Sequence, residues 1–154
     1  MKILFVCHGN ICRSVMAEMV LKQMLRERNV EGVEVDSCAT SREEIGNGIY
    51  PLAKACLERH GVSLERHVAR QITSDDIAES DMIFVMDKNN LRNLEHMFGR
   101  DVACAGKIRM LMEITGNHRE VADPWYTGDF EATYRDVVAG CEGIINDVKT
   151  KTVV

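Results

Sequence analysis

The most informative stretch of this sequence reads Val6-Cys7-His8-Gly9-Asn10-Ile11-Cys12-Arg13-Ser14. It follows the apolar run of residues 3–6 and precedes a segment whose apolar residues recur at helical spacing. The pattern predicts a buried strand, a tight loop and the beginning of a helix. Such a junction leaves backbone N–H groups unpaired at a helix N-terminus, where those groups and the helix dipole attract an anion such as phosphate.

The loop carries the residue types that an anion cradle requires. Gly9 and Asn10 tolerate positive φ, which the loop needs in order to turn successive amides inward around one anion. Arg13 offers a planar fork of donors for two phosphate oxygens. The sequence therefore predicts that His8, Gly9, Asn10, Ile11 and Cys12 bind phosphate through their amides, together with Arg13.

Cys7 is predicted to end the strand and to face the same anion. A cysteine beside an arginine and a helix N-terminus is readily ionised and is then a nucleophile. Ser14 is placed to cap the helix and to donate its hydroxyl to the thiolate. The alternative is an inert buried cysteine near a surface arginine. The loop context argues against that alternative, and none of the other cysteines is followed by an arginine at this spacing.

A second candidate site lies far downstream, at Asp123-Pro124-Trp125-Tyr126. Cleavage of a phosphate ester requires a proton for the leaving oxygen, which a carboxylic acid outside the cradle can supply. Pro124 stiffens the turn and holds Asp123 out of helical geometry. From the residues alone, this Asp-Pro pair is either a general acid or an ordinary turn. Trp125 and Tyr126 are of a size to line a slot for a phenyl phosphate.

Together the two motifs resemble the low-molecular-weight protein tyrosine phosphatase family. Residues 36–40, 67–72 and 86–87 also resemble segments of that family, so the likeness covers nearly the whole chain. The resemblance implies a four-stranded parallel sheet and a phosphocysteine intermediate on Cys7. It also implies that Asp123 first protonates the leaving group and then activates water, which predicts an acidic rate optimum.

Rival functions remain open at this point. Ile11 favours phosphotyrosine over phosphoarginine, because family members that act as protein arginine phosphatases carry Thr at this position. A thiol-dependent arsenate reductase needs resolving cysteines after the third strand, and residues 82–100 contain none, although Cys104 leaves a small opening. A non-catalytic phosphate-binding or redox-sensing module would have no use for an acid such as Asp123.

Composition restricts the class of protein. A chain of 154 residues with 45% hydrophobic and 28% charged residues predicts one domain over residues 1–154. The net charge of −5 argues against nucleic-acid and anionic-membrane partners. The first apolar run is too short for a signal peptide, so we expect a cytoplasmic protein. The expected partners are a phosphotyrosine-containing protein or a small aryl phosphate, with inorganic phosphate as the product.

The six cysteines do not predict a disulfide framework, because the chain is not short and lacks secretory features. Cys7 and Cys12 have a zinc-like spacing, but no second pair of ligands lies close in sequence, so we expect no metal and no cofactor. Oxidation of Cys7 is expected to join it to Cys12 in a reversible disulfide that shelters the nucleophile. The remaining cysteines are predicted to be small core residues: Cys38, Cys56, Cys104 and Cys141.

Strand and helix patterns alternate along the chain and predict an α/β fold, a doubly wound four-stranded parallel sheet with helices on both faces. The predicted strands cover residues 2–6, 33–37, 82–86 and 107–111. Helices are predicted after Ser14, from Pro51, after Asp87 and over residues 130–149 with Asp129 as the cap. In such a sheet, loops at the carboxyl ends of the strands surround the ligand.

Other side chains carry smaller predictions. Glu18 and Lys22 are expected to form an exposed pair on the first helix, and Leu52 to face the core. The polar loop of residues 39–48 is expected to wall the pocket, where Glu43 and Glu44 would either meet the substrate's flanks or stay solvated. For His67 and Asp87 two roles stay open: each either supports the active site or has only a structural role. His60 is expected to lie at a helix C-terminus.

Overall fold

A computed structural model describes residues 1–103 and 106–152. Its centre is a four-stranded sheet in the order β2-β1-β3-β4, and every strand pairs with its neighbour in parallel. The sheet therefore has the predicted class and strand number. The strands are β1 (Lys2–Cys7), β2 (Glu34–Ala39), β3 (Met82–Val85) and β4 (Ile108–Met110).

Helices connect the strands and cover the sheet. The longer ones are α1 (Arg13–Glu27), α2 (Pro51–Arg59), α4 (Lys88–Phe98) and α7 (Phe130–Thr152). Shorter segments that the sequence patterns did not predict are α3 (Ser74–Glu79), α5 (Arg100–Ala103), a 3₁₀ helix (Leu111–Thr115) and α6 (Pro124–Thr127).

The apolar alternation of β1 divides the core into two layers. Ile3, Phe5 and Cys7 face a cluster that includes buried residues of α1, α2 and α7. Leu4 and Val6 face the opposite layer, which includes residues of α3 and α4. Both faces of β1 are thus covered, which explains why the strand is apolar at successive positions.

Two predictions about exposure were wrong. Glu18 is buried at 6% exposure, because Ser37 on the neighbouring strand donates to Glu18 Oε1 at 2.6 Å and Lys22 Nζ donates to Oε2 at 2.7 Å. Leu52 is 54% exposed, because the face of α2 that packs on the core carries Ala53, Cys56 and Leu57 instead. Periodicity within one helix does not reveal a polar partner supplied by a strand.

The cysteines predicted for the core are buried where the structure describes them, at Cys38, Cys56 and Cys141. Cys104 lies outside the described residues. Among the helices of the described ranges, none is both long enough and apolar enough to cross a membrane.

The close packing of α7 on the 3₁₀ helix depends on a glycine. A Cβ built on Gly140 would lie 2.5 Å from Leu111 Cγ, and Leu111 is completely buried. Overpacking of this kind costs about 1–3 kcal/mol, whereas Ala gains about 1 kcal/mol over Gly in a helix. The absence of a side chain at Gly140 therefore lets the two helices approach.

We expect Gly140→Ala to lower the free energy of unfolding by up to about 2 kcal/mol, measured by urea denaturation, because the fully buried Leu111 side chain would have to shift. The matched control is Gly48→Ala, where the added Cβ would make ordinary contact with the His67 carbonyl oxygen at 3.7 Å. A more stable Gly140→Ala variant would contradict this account of the packing.

Candidate active site

The predicted strand, loop and helix are present, with β1 ending at Cys7 and α1 beginning at Arg13. Two details differ from the prediction. Gly9 does not have positive φ, and a Cβ added there would lie at contact distance from Glu44, 3.4 Å from its Cγ. Ser14 does not cap α1, because the helix begins at Arg13, two residues earlier than predicted, and Cys12 occupies the N-cap position.

Asn10 is the residue that bends the loop. Its φ is 60°, as predicted, and its side chain is completely buried. The Nδ2 amide donates to Ser14 Oγ at 2.8 Å and to Ser37 Oγ at 2.9 Å, so both of its protons are used. Its Oδ1 accepts from the backbone N–H of Arg70 at 3.3 Å. The loop is thereby tied to α1, to β2 and to the segment before α3.

Ser14 also contacts the cysteine. The Cys7 thiol donates to Ser14 Oγ at 3.0 Å, and the hydroxyl can donate in the reverse direction when the sulfur is a thiolate. The backbone N–H of Asn10 approaches the same sulfur at 3.3 Å. Cys7 is 3% exposed, so the sulfur is shielded from bulk water and lies beside one hydroxyl and one backbone amide.

His67 contacts the loop from outside the cleft. Its Nε2 donates to the carbonyl oxygen of Asn10 at 2.7 Å. This bond satisfies a carbonyl that the left-handed turn would otherwise leave without a partner. His67 thus supports the loop, which was one of the two roles that its position in the sequence left open.

Arg13 joins the loop to the end of β3 and to the segment before α6. Its Nη1 donates to Asp87 Oδ2 at 2.7 Å and to the Val121 carbonyl at 2.9 Å, and its Nη2 lies 3.5 Å from Asp123 Oδ2. Burial opposes the charge on Arg13, but Cys7 and these two carboxylates outweigh it and raise the pKa of the guanidinium. Arg13 therefore remains a cation although it is 2% exposed.

Asp87 has both of the roles that the sequence suggested. It follows β3 and caps α4, where its Oδ1 accepts from the Asn90 N–H at 2.8 Å. Its other carboxylate oxygen holds Arg13. A helix cap at the carboxyl end of a central strand thus also positions the cation of the loop.

Asp123 lies at the N-cap of α6 with extended backbone, and Pro124 is the first helical residue. Its Oδ1 accepts from the Trp125 N–H at 3.0 Å, whereas Oδ2 faces Arg13. About a quarter of the side chain is exposed. One carboxylate oxygen therefore fixes the turn and the other faces the cleft.

A cleft of about 390 Å³ brings these groups together. Glu43 and Glu44 of the loop after β2 form part of its wall, as predicted. Every predicted site residue except Ser14 lines this cleft, namely Cys7, His8, Gly9, Asn10, Ile11, Cys12, Arg13, Asp123, Trp125 and Tyr126.

The aromatic rim includes a residue that sequence reasoning missed. Tyr50 donates its backbone N–H to the Ile11 carbonyl at 2.9 Å, and its ring lies 5.1 Å from that of Trp125. Trp125 and Tyr126 remain exposed, at 56% and 85%. Tyr50 comes directly before Pro51, where the sequence predicts that a helix begins. That position does not indicate that the Tyr50 ring supports the rim.

Cys12 differs from Cys7 in its electrostatic surroundings. Burial first, and then the charges of Cys7 and Asp123, raise the pKa of the Cys12 thiol to about 12. Cys12 is therefore a neutral thiol at physiological pH and does not compete as a nucleophile. The predicted disulfide between the two cysteines stays a prediction.

The fold and the cleft define an α/β protein with an anion-binding loop that carries a cysteine and a buried arginine. The family model of low molecular weight phosphotyrosine protein phosphatase matches residues 2–154. The human protein of that name is 40% identical over 147 residues, which cover 93% of this chain and 92% of the human one. The chain therefore belongs to the low molecular weight phosphotyrosine protein phosphatase family.

Solved structures show the same likeness. The crystal structure of YfkJ from Bacillus subtilis matches with a TM-score of 0.92 and 32% identity, over 98% of this chain and 96% of that one. DARP, a Drosophila arginine phosphatase, matches with a TM-score of 0.87 and 33% identity, over 97% and 98% of the two chains.

We expect Ser14→Ala to slow the alkylation of Cys7 by iodoacetamide about tenfold or more. The thiolate would lose one charge-assisted hydrogen bond, and such a bond contributes about 1.5–3 kcal/mol. The labelling rate is measured by mass spectrometry of the peptide containing Cys7. Ser80→Ala removes a buried hydroxyl outside the cleft and is the control. Equal labelling rates for wild type and Ser14→Ala would contradict the donor role of Ser14.

Proposed function

We propose that this chain hydrolyses phosphotyrosine and aryl phosphate monoesters through a phosphocysteine intermediate on Cys7. The observation that carries the proposal is the placement of Cys7, Arg13 and Asp123 in one cleft. The cysteine lies beneath the loop amides, the arginine is buried beside it, and the carboxyl group belongs to a separate segment on the cleft wall. This arrangement supplies a nucleophile, an anion clamp and an acid on different sides of one substrate.

In the first step the Cys7 sulfur attacks phosphorus, so that an S–P bond forms while the bond from phosphorus to the leaving oxygen breaks. Arg13 and the loop amides neutralise the charge of the three other phosphate oxygens. Asp123, protonated at Oδ2, the oxygen that faces the cleft, transfers that proton to the leaving phenolate. The dephosphorylated tyrosine is then released.

In the second step the Asp123 carboxylate accepts a proton from water, and the water oxygen attacks phosphorus. The S–P bond breaks, Cys7 leaves as a thiolate and inorganic phosphate is released. Ser14 stabilises this leaving thiolate by donating its hydroxyl proton to the sulfur, because a thiolate can only accept and Ser14 Oγ lies 3.0 Å from it. Asp123 thus ends the cycle protonated and ready for the next substrate.

The rim favours a flat aromatic leaving group. Trp125 and Tyr126 line the cleft, and Tyr50 packs on Trp125. A phenyl ring would gain contact with these aromatic side chains that a short serine side chain cannot reach. The likeness to DARP makes phosphoarginine the second candidate substrate. Ile11 keeps phosphotyrosine as the first candidate, because family members that act as protein arginine phosphatases carry Thr at this position.

We further propose that residues 1–154 form a single phosphatase domain that uses no metal or cofactor in its chemistry. A cytoplasmic location agrees with the five cysteines among the described residues, all of which are free thiols. A reducing compartment would keep Cys7 available as a nucleophile. The arsenate-reductase alternative lacks support because residues 82–100 contain no cysteine.

The direct test compares wild type, Cys7→Ser and Asp123→Asn in the presence of EDTA. Phosphotyrosine peptide, phenyl phosphate, p-nitrophenyl phosphate and phosphoarginine are the substrates, each assayed from pH 4.5 to 8. We expect Cys7→Ser to abolish hydrolysis. Asp123→Asn should lower kcat about 10²–10⁴-fold for phenyl phosphate. It should lower kcat less for p-nitrophenyl phosphate, whose phenolate leaves more easily without a proton.

Either of two results would overturn the mechanism. Equal loss of rate for both leaving groups would remove Asp123 as the general acid. Retained hydrolysis in Cys7→Ser would exclude the phosphocysteine intermediate. Faster turnover of phosphoarginine than of phosphotyrosine would instead make the second candidate the function.

The acidic wall of the cleft predicts a preference for basic residues next to the phosphotyrosine. Glu43 pairs with His8 at 2.9 Å but its side chain is 68% exposed, and Glu44 lines the same wall. The double variant Glu43→Gln/Glu44→Gln should raise KM for a Lys-flanked phosphopeptide about two- to fivefold, since an exposed pair contributes up to about 1 kcal/mol. Salt should reduce the difference.

Steady-state kinetics with Lys-flanked and Glu-flanked peptides measure this preference. The matched control is Glu31→Gln, which removes an exposed acid that does not line the cleft. Identical changes of KM for both peptides would show that Glu43 and Glu44 do not select substrates by charge.

A further inference from the structure

A second cluster of reactive side chains lies between α2 and the beginning of α7. Cys56 and His60 are four residues apart at the C-terminal end of α2, so they share one helix face, and Glu131 is in the first turn of α7. Cys56 Sγ is 3.6 Å from Glu131 Oε1, and His60 Nε2 is 2.6 Å from Glu131 Oε2. One ligand atom from each residue can be chosen so that all three lie within 4.8 Å of one another.

We propose that Cys56, His60 and Glu131 bind a divalent ion of the zinc class, with water in a fourth position. Thiolate, imidazole and carboxylate are the ligands that zinc takes in proteins. For bonds of about 2.0–2.3 Å in tetrahedral geometry, a sulfur and an oxygen ligand lie about 3.5 Å apart, close to the distance observed here. The nitrogen and oxygen must separate to about 3.3 Å, as expected when a metal replaces the shared proton.

The surroundings hold the imidazole in place but also supply a competing cation. The His60 ring stacks on Tyr134, with 3.8 Å between centroids and 13° between planes, which limits its rotation. Arg59 donates to Glu131 Oε1 from Nε at 3.2 Å and from Nη2 at 2.8 Å. Metal binding releases the thiol proton of Cys56 to solvent, leaves His60 neutral with an Nε2 lone pair, and competes with Arg59 for the carboxylate.

The cluster is distinct from the cleft but is connected to its rim. Tyr50, directly before α2, packs its ring on both Trp125 and Phe130. Phe130 begins α7, and its carbonyl oxygen lies 3.6 Å from Cys56 Sγ. An ion at the cluster would therefore join the end of α2 to the segment that follows the Asp123 turn. It would have no part in the chemistry, so the proposed phosphatase activity in EDTA is independent of it.

The test uses the full chain as Cys7→Ser in phosphate-free buffer, so that the cleft offers no Cys7 thiolate to the metal. Zn²⁺ affinity is measured by calorimetry, and Co²⁺ is the spectroscopic probe because a bound thiolate produces sulfur-to-cobalt charge-transfer absorption. We expect one ion per chain and a charge-transfer band. Cys56→Ser should remove the band and weaken Zn²⁺ binding about a hundredfold. His60→Gln, at an exposed position, should weaken binding without affecting the fold as judged by circular dichroism.

Arg59→Gln distinguishes a metal site from a purely structural ion pair. Removal of the competing cation should tighten Zn²⁺ binding about two- to fivefold, which matches the small contribution of an exposed ion pair. Cys141→Ala removes a buried cysteine that is not part of the cluster and should keep the band. A band that survives Cys56→Ser, or no Zn²⁺ binding by the Arg59→Gln variant, would overturn the proposal.

Discussion

The site depends first on the buried amide of Asn10. Its two Nδ2 protons go to serines on α1 and β2, while its backbone takes a left-handed conformation that most residues avoid. A buried amide proton without a partner costs about 1–3 kcal/mol, so the loop has one well-satisfied conformation. The shape of the cradle is therefore established by hydrogen bonds made before any phosphate arrives.

The hydrogen-bond network continues from Asn10 to the buried carboxylate of Glu18. Ser37 accepts from Asn10 and donates to Glu18, which in turn accepts from Lys22. Ser37 thus has one donating and one accepting partner, and Asn10 joins it to Ser14, which lies beside the Cys7 sulfur. A fully satisfied buried network of this kind holds the loop rigid.

Arg13 is the second constraint, and it works through charge. It contacts carboxylates that follow β3 and that begin α6, so three separate parts of the chain meet at one buried guanidinium. A buried cation is stable only when such partners are present. The same contact keeps Asp123 beside the cradle, although 110 residues separate it from Arg13.

Local chemistry was sufficient to predict the strand, loop and helix around Cys7, the clamp at Arg13 and the α/β class, because short apolar runs and loop residues carry that information themselves. Asp123 was recognisable as a candidate from its proline, but only the family likeness separated it from an ordinary turn. The burial of Glu18, the aromatic support from Tyr50 and the meeting of Cys56, His60 and Glu131 were decided by the tertiary structure. Each depends on a partner from another element, and the pairing of distant elements across a parallel sheet leaves no periodic signal in either segment alone.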